Sequence, residues 1–117
     1  GPAALGAEGP TSTFTPHSCP CAIVELEADW PAPLGGQFIV ARFGNLISQS
    51  GGYDLLRLKL DFAAGTAETH ELISPLGRPI ALVKLSGHRL LIAEYTRGTT
   101  LGAGLSTPGR LLILEPK

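Results

Sequence analysis

Charge is scarce in this chain. Only 16% of its 117 residues are Asp, Glu, Lys or Arg, against about 25% in an ordinary soluble domain. Nine basic residues nearly balance ten acidic ones, for a net charge of -1. Such a chain lacks the basic stripe that grips a phosphate backbone or an anionic lipid surface, so neither nucleic acid nor membrane is expected as a partner. Long apolar runs are missing too, and nothing approaches the roughly 18 consecutive apolar residues of a spanning helix. Cysteine is limited to Cys19 and Cys21, which flank one proline. They stand too close together to close a sizeable loop and are awkwardly placed for a mutual disulfide, so disulfides do not staple the fold. Methionine is absent, and Gly1-Pro2 reads as the scar of a protease cut, so no targeting segment is legible at this end.

Glycine and proline are abundant instead, 15 and 10 residues, while 44% of the chain is hydrophobic. That combination argues against disorder and for a turn-rich β protein. Residues 1–16 hold only Leu5 and Phe14 as sizeable apolar groups and read as a flexible tail or a donated strand. From Cys21 onward, short apolar runs alternate with Gly/Pro/Asp/Ser clusters, the punctuation of strands and turns. Strands are predicted at 21–26, 37–43, 53–61, 68–73, 79–85, 89–95 and 110–115. Leu56-Arg57-Leu58-Lys59-Leu60-Asp61 alternates at period two, as one buried face requires. Leu90-Leu91-Ile92-Ala93 and Leu111-Leu112-Ile113-Leu114 are apolar on both faces and should lie between layers.

An internal repeat organises the rest. Cys19-Pro20-Cys21-Ala22-Ile23-Val24-Glu25-Leu26 aligns with Arg78-Pro79-Ile80-Ala81-Leu82-Val83-Lys84-Leu85, and 35–43 aligns with 87–95 in the same order, each closing on an aromatic residue. A period of roughly 50 to 60 residues with four short strands per unit is the footprint of β-propeller blades. The expectation is an all-β chain of antiparallel four-stranded blades, with blade one over 17–76 and blade two over 77–117. The second blade runs out after three strands, so its outer strand must come from elsewhere, and 11–15 carries the β-favouring threonines to supply it. Two blades leave two open flanks, which a ring would close, and three copies would make six blades.

The segments Trp30-Pro31, Leu34 to Gly44, Gly52-Tyr53-Asp54-Leu55-Leu56-Arg57, Gly77-Arg78-Pro79 and Gly87 to Glu94 together resemble the closing blades of the glucose/sorbosone dehydrogenase family. The resemblance runs over about residues 17 to 115, His17-Ser18 matching that family's His-Ser turn. It implies a six-bladed quinoprotein propeller, with pyrroloquinoline quinone and calcium as cofactors of the whole enzyme, and a periplasmic or secreted bacterial setting. In that family the general-base histidine and most cofactor contacts belong to earlier blades. The resemblance therefore implies no cofactor for this chain by itself.

In an up-and-down blade, alternate connections emerge on one face of the ring, and that face usually holds the site. This parity groups His17, Arg42, Arg78, Glu94, Tyr95 and Arg97 as one candidate ligand-binding patch. Arg78 could hold an anion through its planar fork or tie down carbonyls between blades. His17 could act in proton transfer or simply bond a turn. Cys19 and Cys21 with His17 are soft-metal candidates, although Cys21 at a strand start also packs as a small apolar residue. Trp30 could serve as a sugar platform with Tyr95, or as a plug between blades. His70 and His88 read as solvent-exposed, Glu25 and Glu27 as the wet face of one strand. The Gly98 to Gly104 run reads as a mobile loop, because it lacks the Gly-Lys-Ser/Thr ending of a phosphate cradle. The leading expectation is a structural or binding propeller fragment that assembles into a ring, through its own copies or further blades. The alternatives are one part of a quinone-dependent sugar dehydrogenase and a carbohydrate-binding module.

Overall fold

The computed structural model describes residues 13–14, 18–45, 51–96 and 108–117. Among these there is no helix, and seven strands build two antiparallel sheets. Sheet one runs in the order β1 (Pro20–Glu25), β2 (Phe38–Arg42), β3 (Asp54–Asp61), β4 (Thr66–Ile73). Sheet two runs β5 (Pro79–Leu85), β6 (Arg89–Thr96), β7 (Pro108–Leu114). Every neighbour in space is a neighbour in sequence, so each sheet is a meander held by hairpin connections. The expected seven strands are all present, with no end displaced by more than two residues and β5 matching at both ends.

The sequence repeat is a repeat of register. In sheet one Pro20 pairs with Arg42, the ladder shifts, and Ala22, Ile23 and Val24 pair with Ala41, Val40 and Ile39. In sheet two Pro79 pairs with Glu94, the ladder shifts, and Ala81, Leu82 and Val83 pair with Ala93, Ile92 and Leu91. The irregularity therefore falls at Cys21 and Ile80, aligned residues, where each proline removes a ladder donor at the strand start. The third strands agree as well: Ala41 faces Leu55 and Arg42 faces Asp54, while Ala93 faces Leu111 and Glu94 faces Arg110.

β5 packs against β1 and β2, joining the sheets face to face. The core between them takes Val24, Ile39, Ala41 and Leu55 from sheet one and Leu82, Leu90, Ile92 and Leu112 from sheet two. By the register above, Val24 and Leu55 correspond to Val83 and Leu111, whereas Leu82 corresponds to Ile23. The sheets thus stack front to back, the front of the first on the back of the second. The outward front of sheet two leaves Val83 51% and Leu111 67% exposed, and the outward back of sheet one leaves Ile23 59% exposed. Both repeat a surface that is buried at the joint.

The donated strand expected at 11–15 falls largely outside the described residues. Thr13 and Phe14 are described and belong to no strand. Phe14 packs on the outward back of sheet one, against the cluster of Val40, Leu56 and Leu58, where its ring leaves water. Among the described residues sheet two has three strands.

Candidate functional site

The starts of β1 and β5 and the ends of β2 and β6 meet at one end of the stacked sheets, and Arg78 is the residue buried there, 2% exposed. Its backbone is tied to β6: its N–H donates to Thr96 O at 3.1 Å, and Tyr95 N–H donates to its carbonyl at 2.7 Å. Phe43 N–H donates to Cys19 O at 2.8 Å, the equivalent tie in sheet one. The Arg78 guanidinium reaches across the joint and lies 4.8 Å from the Phe43 ring centre and 4.9 Å from that of Tyr53. Its Nη1 donates to Phe43 O at 3.5 Å and its Nη2 to Tyr53 Oη at 3.4 Å. Those bonds are long, and the two aromatic faces add cation–π attraction to them. Tyr53 is held in turn by its hydroxyl, which donates to Asn45 O at 2.8 Å. Gly44, at φ 101°, passes so close that a Cβ there would meet the Tyr53 ring at 2.6 Å. Only glycine allows that approach.

Glu94 stands beside this sandwich with a side chain 0% exposed. One carboxylate oxygen accepts from Gly77 N–H at 2.6 Å and the other from Arg110 Nε at 2.5 Å. Arg42 and Asp54, at the matching register position of sheet one, form a bidentate pair at 2.8 and 2.6 Å. The repeat therefore carries the same cross-strand ion pair with its signs exchanged. The hydrogen bonds to Asp54 and then its charge hold Arg42 above its ordinary value, against the opposing effect of burial. Tyr95 is 49% exposed and tilts against Phe43 at 6.1 Å.

Arg42, Arg78, Glu94 and Tyr95 thus share one end of the sheets, as loop parity implies, but three of them are engaged within the fold. The remaining two candidates of the patch, His17 and Arg97, lie outside the described residues.

Trp30 lies at the opposite end, in the β1–β2 connection. It is 5% exposed, joins the core, packs 5.3 Å from the His88 ring, and donates its indole N–H to Glu27 Oε2 at 2.8 Å. It is packed in the core, at the other end of the strands from Tyr95. Glu27 lies past the end of β1 and not on its wet face; it also accepts from Lys84 Nζ at 2.6 Å and so bridges the two sheets. With Asp29, Ser86 and His88 these residues line an open groove of about 410 Å³. His88 also meets Asp29 at 3.3 Å, and His70 meets Glu68 at 3.3 Å.

The hydrogen bond from Lys84, followed by those from its own backbone and Trp30, lowers Glu27 to about 2 from an ordinary 4.5. A depressed carboxylate stabilises the fold above its unfolded value and loses that contribution as pH falls through its folded value. The bridge should therefore be complete above pH 4.5 and lost toward about 2. An NMR titration of the Glu27 carboxyl checks this, and Lys84→Gln should move its midpoint upward.

Cys19 and Cys21 are both exposed free thiols with sulfurs 3.5 Å apart. Burial, and then the neighbouring Cys19 thiol, push the Cys21 thiol up. No group of three His, Cys, Asp or Glu side chains able to hold a metal ion occurs among the described residues. Pyrroloquinoline quinone and calcium do not fit those residues. A polycarboxylate needs uncommitted cations, and at this end Arg42 and Arg110 are paired to Asp54 and Glu94 while Arg78 is enclosed by aromatic rings. Calcium needs six to eight oxygen ligands.

Residue-by-residue reading misses Phe43, Tyr53, Asp54, Arg110 and Glu27 as partners. The signal for Asp54 and Arg110 was present in the hairpins, since extending the repeat into the third strands puts them opposite Arg42 and Glu94. Comparison with family models, curated proteins and solved structures finds no match for the chain.

Proposed function

We propose that this chain is a two-blade β-propeller unit whose function is structural or binding: it associates front to back with further copies of itself, three of which close a six-bladed ring. What supports this reading is a single observation. The two outward faces repeat the two faces already joined within the chain, so one copy's Val83 and Leu111 meet the next copy's Ile23 by the same rule that brings Val24 and Leu55 onto Leu82. Such a contact is heterologous and must end in a ring or a filament. Each large apolar side chain it buries contributes about 1.5–3 kcal/mol. Phe14 lies on the receiving face, beside a groove of about 310 Å³ lined by Pro20, Cys21, Ile23 and Val40, and it has to yield that face to the incoming copy.

Light scattering on the intact chain tests this. A discrete species of three 12.2 kDa chains is expected, and Phe14→Ala should strengthen association by uncovering Val40, Leu56 and Leu58. A folded monomer at all concentrations, for both proteins, would end the proposal.

The second reading keeps the same stack as the closing blades of a periplasmic quinone-dependent sugar dehydrogenase, favoured by Gly52-Tyr53-x-x-x-Arg57 and Gly77-Arg78-Pro79. Earlier blades would then cover the open faces and carry the cofactor. Addition of pyrroloquinoline quinone and calcium to this chain should give no dye reduction under either reading, and reduction by the chain alone would contradict both.

A further inference from the structure

Cys19, Pro20 and Cys21, at the start of β1, lie outside the apolar core between the two sheets and take part in neither ion pair of the repeat. We propose that the two thiols form a chelating site for a soft monovalent cation of the copper(I) class. In a regular strand, side chains two apart share a face but stand roughly 6.5–7 Å apart, twice the rise per residue. Here the sulfurs lie 3.5 Å apart. Cys19 sits at φ 52°, and the ladder irregularity falls at Cys21. Arg78 and Ile80, the equivalent residues of sheet two, share the irregularity, but Arg78 has no positive φ. The convergence is thus particular to the cysteine copy.

Both thiols are free and exposed, so neither is spent on packing. Thiolate sulfur selects soft ions. Zinc is poorly served, since a structural site wants four ligands and the described residues offer no third His, Cys, Asp or Glu side chain here. A monovalent soft cation is content with two. On binding, each thiol releases its proton to solvent and forms one sulfur–metal bond, with no change of oxidation state. Rotation of either exposed side chain can open the pair to span the ion. This inference does not rest on ring assembly.

The test is an anaerobic titration of the fully reduced intact chain with copper(I) against a chromogenic copper(I) chelator, with proton release and alkylation of both thiols followed in parallel. One ion per chain is expected, with two protons released and both thiols protected together. Cys19→Ser and Cys21→Ser should each weaken binding by about 100-fold or more, because chelation is lost. Both residues are exposed, and circular dichroism of the variants should match the parent. Failure to compete with the chelator, uptake of two ions per chain, or single-cysteine variants that bind as tightly as the parent would each overturn the proposal.

Discussion

Replacing Arg78 by alanine is expected to lower the unfolding free energy by about 3 kcal/mol or more, read from denaturant midpoints. The guanidinium is enclosed between Phe43 and Tyr53 and bonds to both residues. Its removal empties the end of the joint and takes a cation from two desolvated aromatic faces. Lysine keeps the charge but not the plane, so Arg78→Lys should fall between the parent and alanine. Methionine restores volume without donors, and the difference between Arg78→Met and Arg78→Ala separates packing from polar contacts. The outcome also discriminates between the two roles read for Arg78 in the sequence. A residue kept for an anionic ligand would leave stability unchanged when replaced.

Glu94 should be nearly as sensitive. Its carboxylate is wholly buried and holds Gly77 N–H and Arg110. Alanine leaves the amide of buried Gly77 without this acceptor, while Arg110, 45% exposed, can turn to water. The expected cost of Glu94→Ala is about 2–4 kcal/mol, and Glu94→Gln, which keeps an acceptor for the amide, should cost about half as much. Removing the exposed partner is not the milder change: Arg110→Ala strands a buried carboxylate and should cost at least as much as Glu94→Gln. Thermal unfolding of the three variants checks the order. Were all three within about 0.5 kcal/mol of the parent, as ordinary surface substitutions are, the ion pair would have no structural role.

How much of this was legible in the residues depends on the distance over which each interaction acts. The strands were, because Leu56 to Asp61 alternates at period two and Gly, Pro and Asp punctuate the rest. The repeat was, because Pro, Ala and Val recur at fixed spacing. The ion pairs were hidden, because aligning the copies sets Arg42 against Glu94, an apparent mismatch of sign. Only the register shows that Asp54 and Arg110 change sign with them. The Arg78 sandwich was hidden for a different reason. Phe43 and Tyr53 reach it from another sheet, and no local pattern records which aromatic rings a cation crosses a joint to meet. Trp30 carries two readings in the sequence, plug and platform, because no local pattern records that its ring joins the core. The threonines around Phe14 point to a donated strand, most of which lies outside the described residues, and nothing local shows that its ring packs on Val40, Leu56 and Leu58.

In the proposed ring the two outward faces are complementary to each other and not to themselves. Ile23→Glu spoils only the back of sheet one and Leu111→Glu only the front of sheet two. Both positions are exposed in the single chain, so each variant should fold with little loss. The measurement is the mass of the two variants, alone and mixed in equal amounts. Monomers of 12.2 kDa are expected alone and a one-to-one pair on mixing, joined through the single unspoiled joint. Self-association of either variant alone, or a mixture that stays monomeric while the parent assembles, would contradict it.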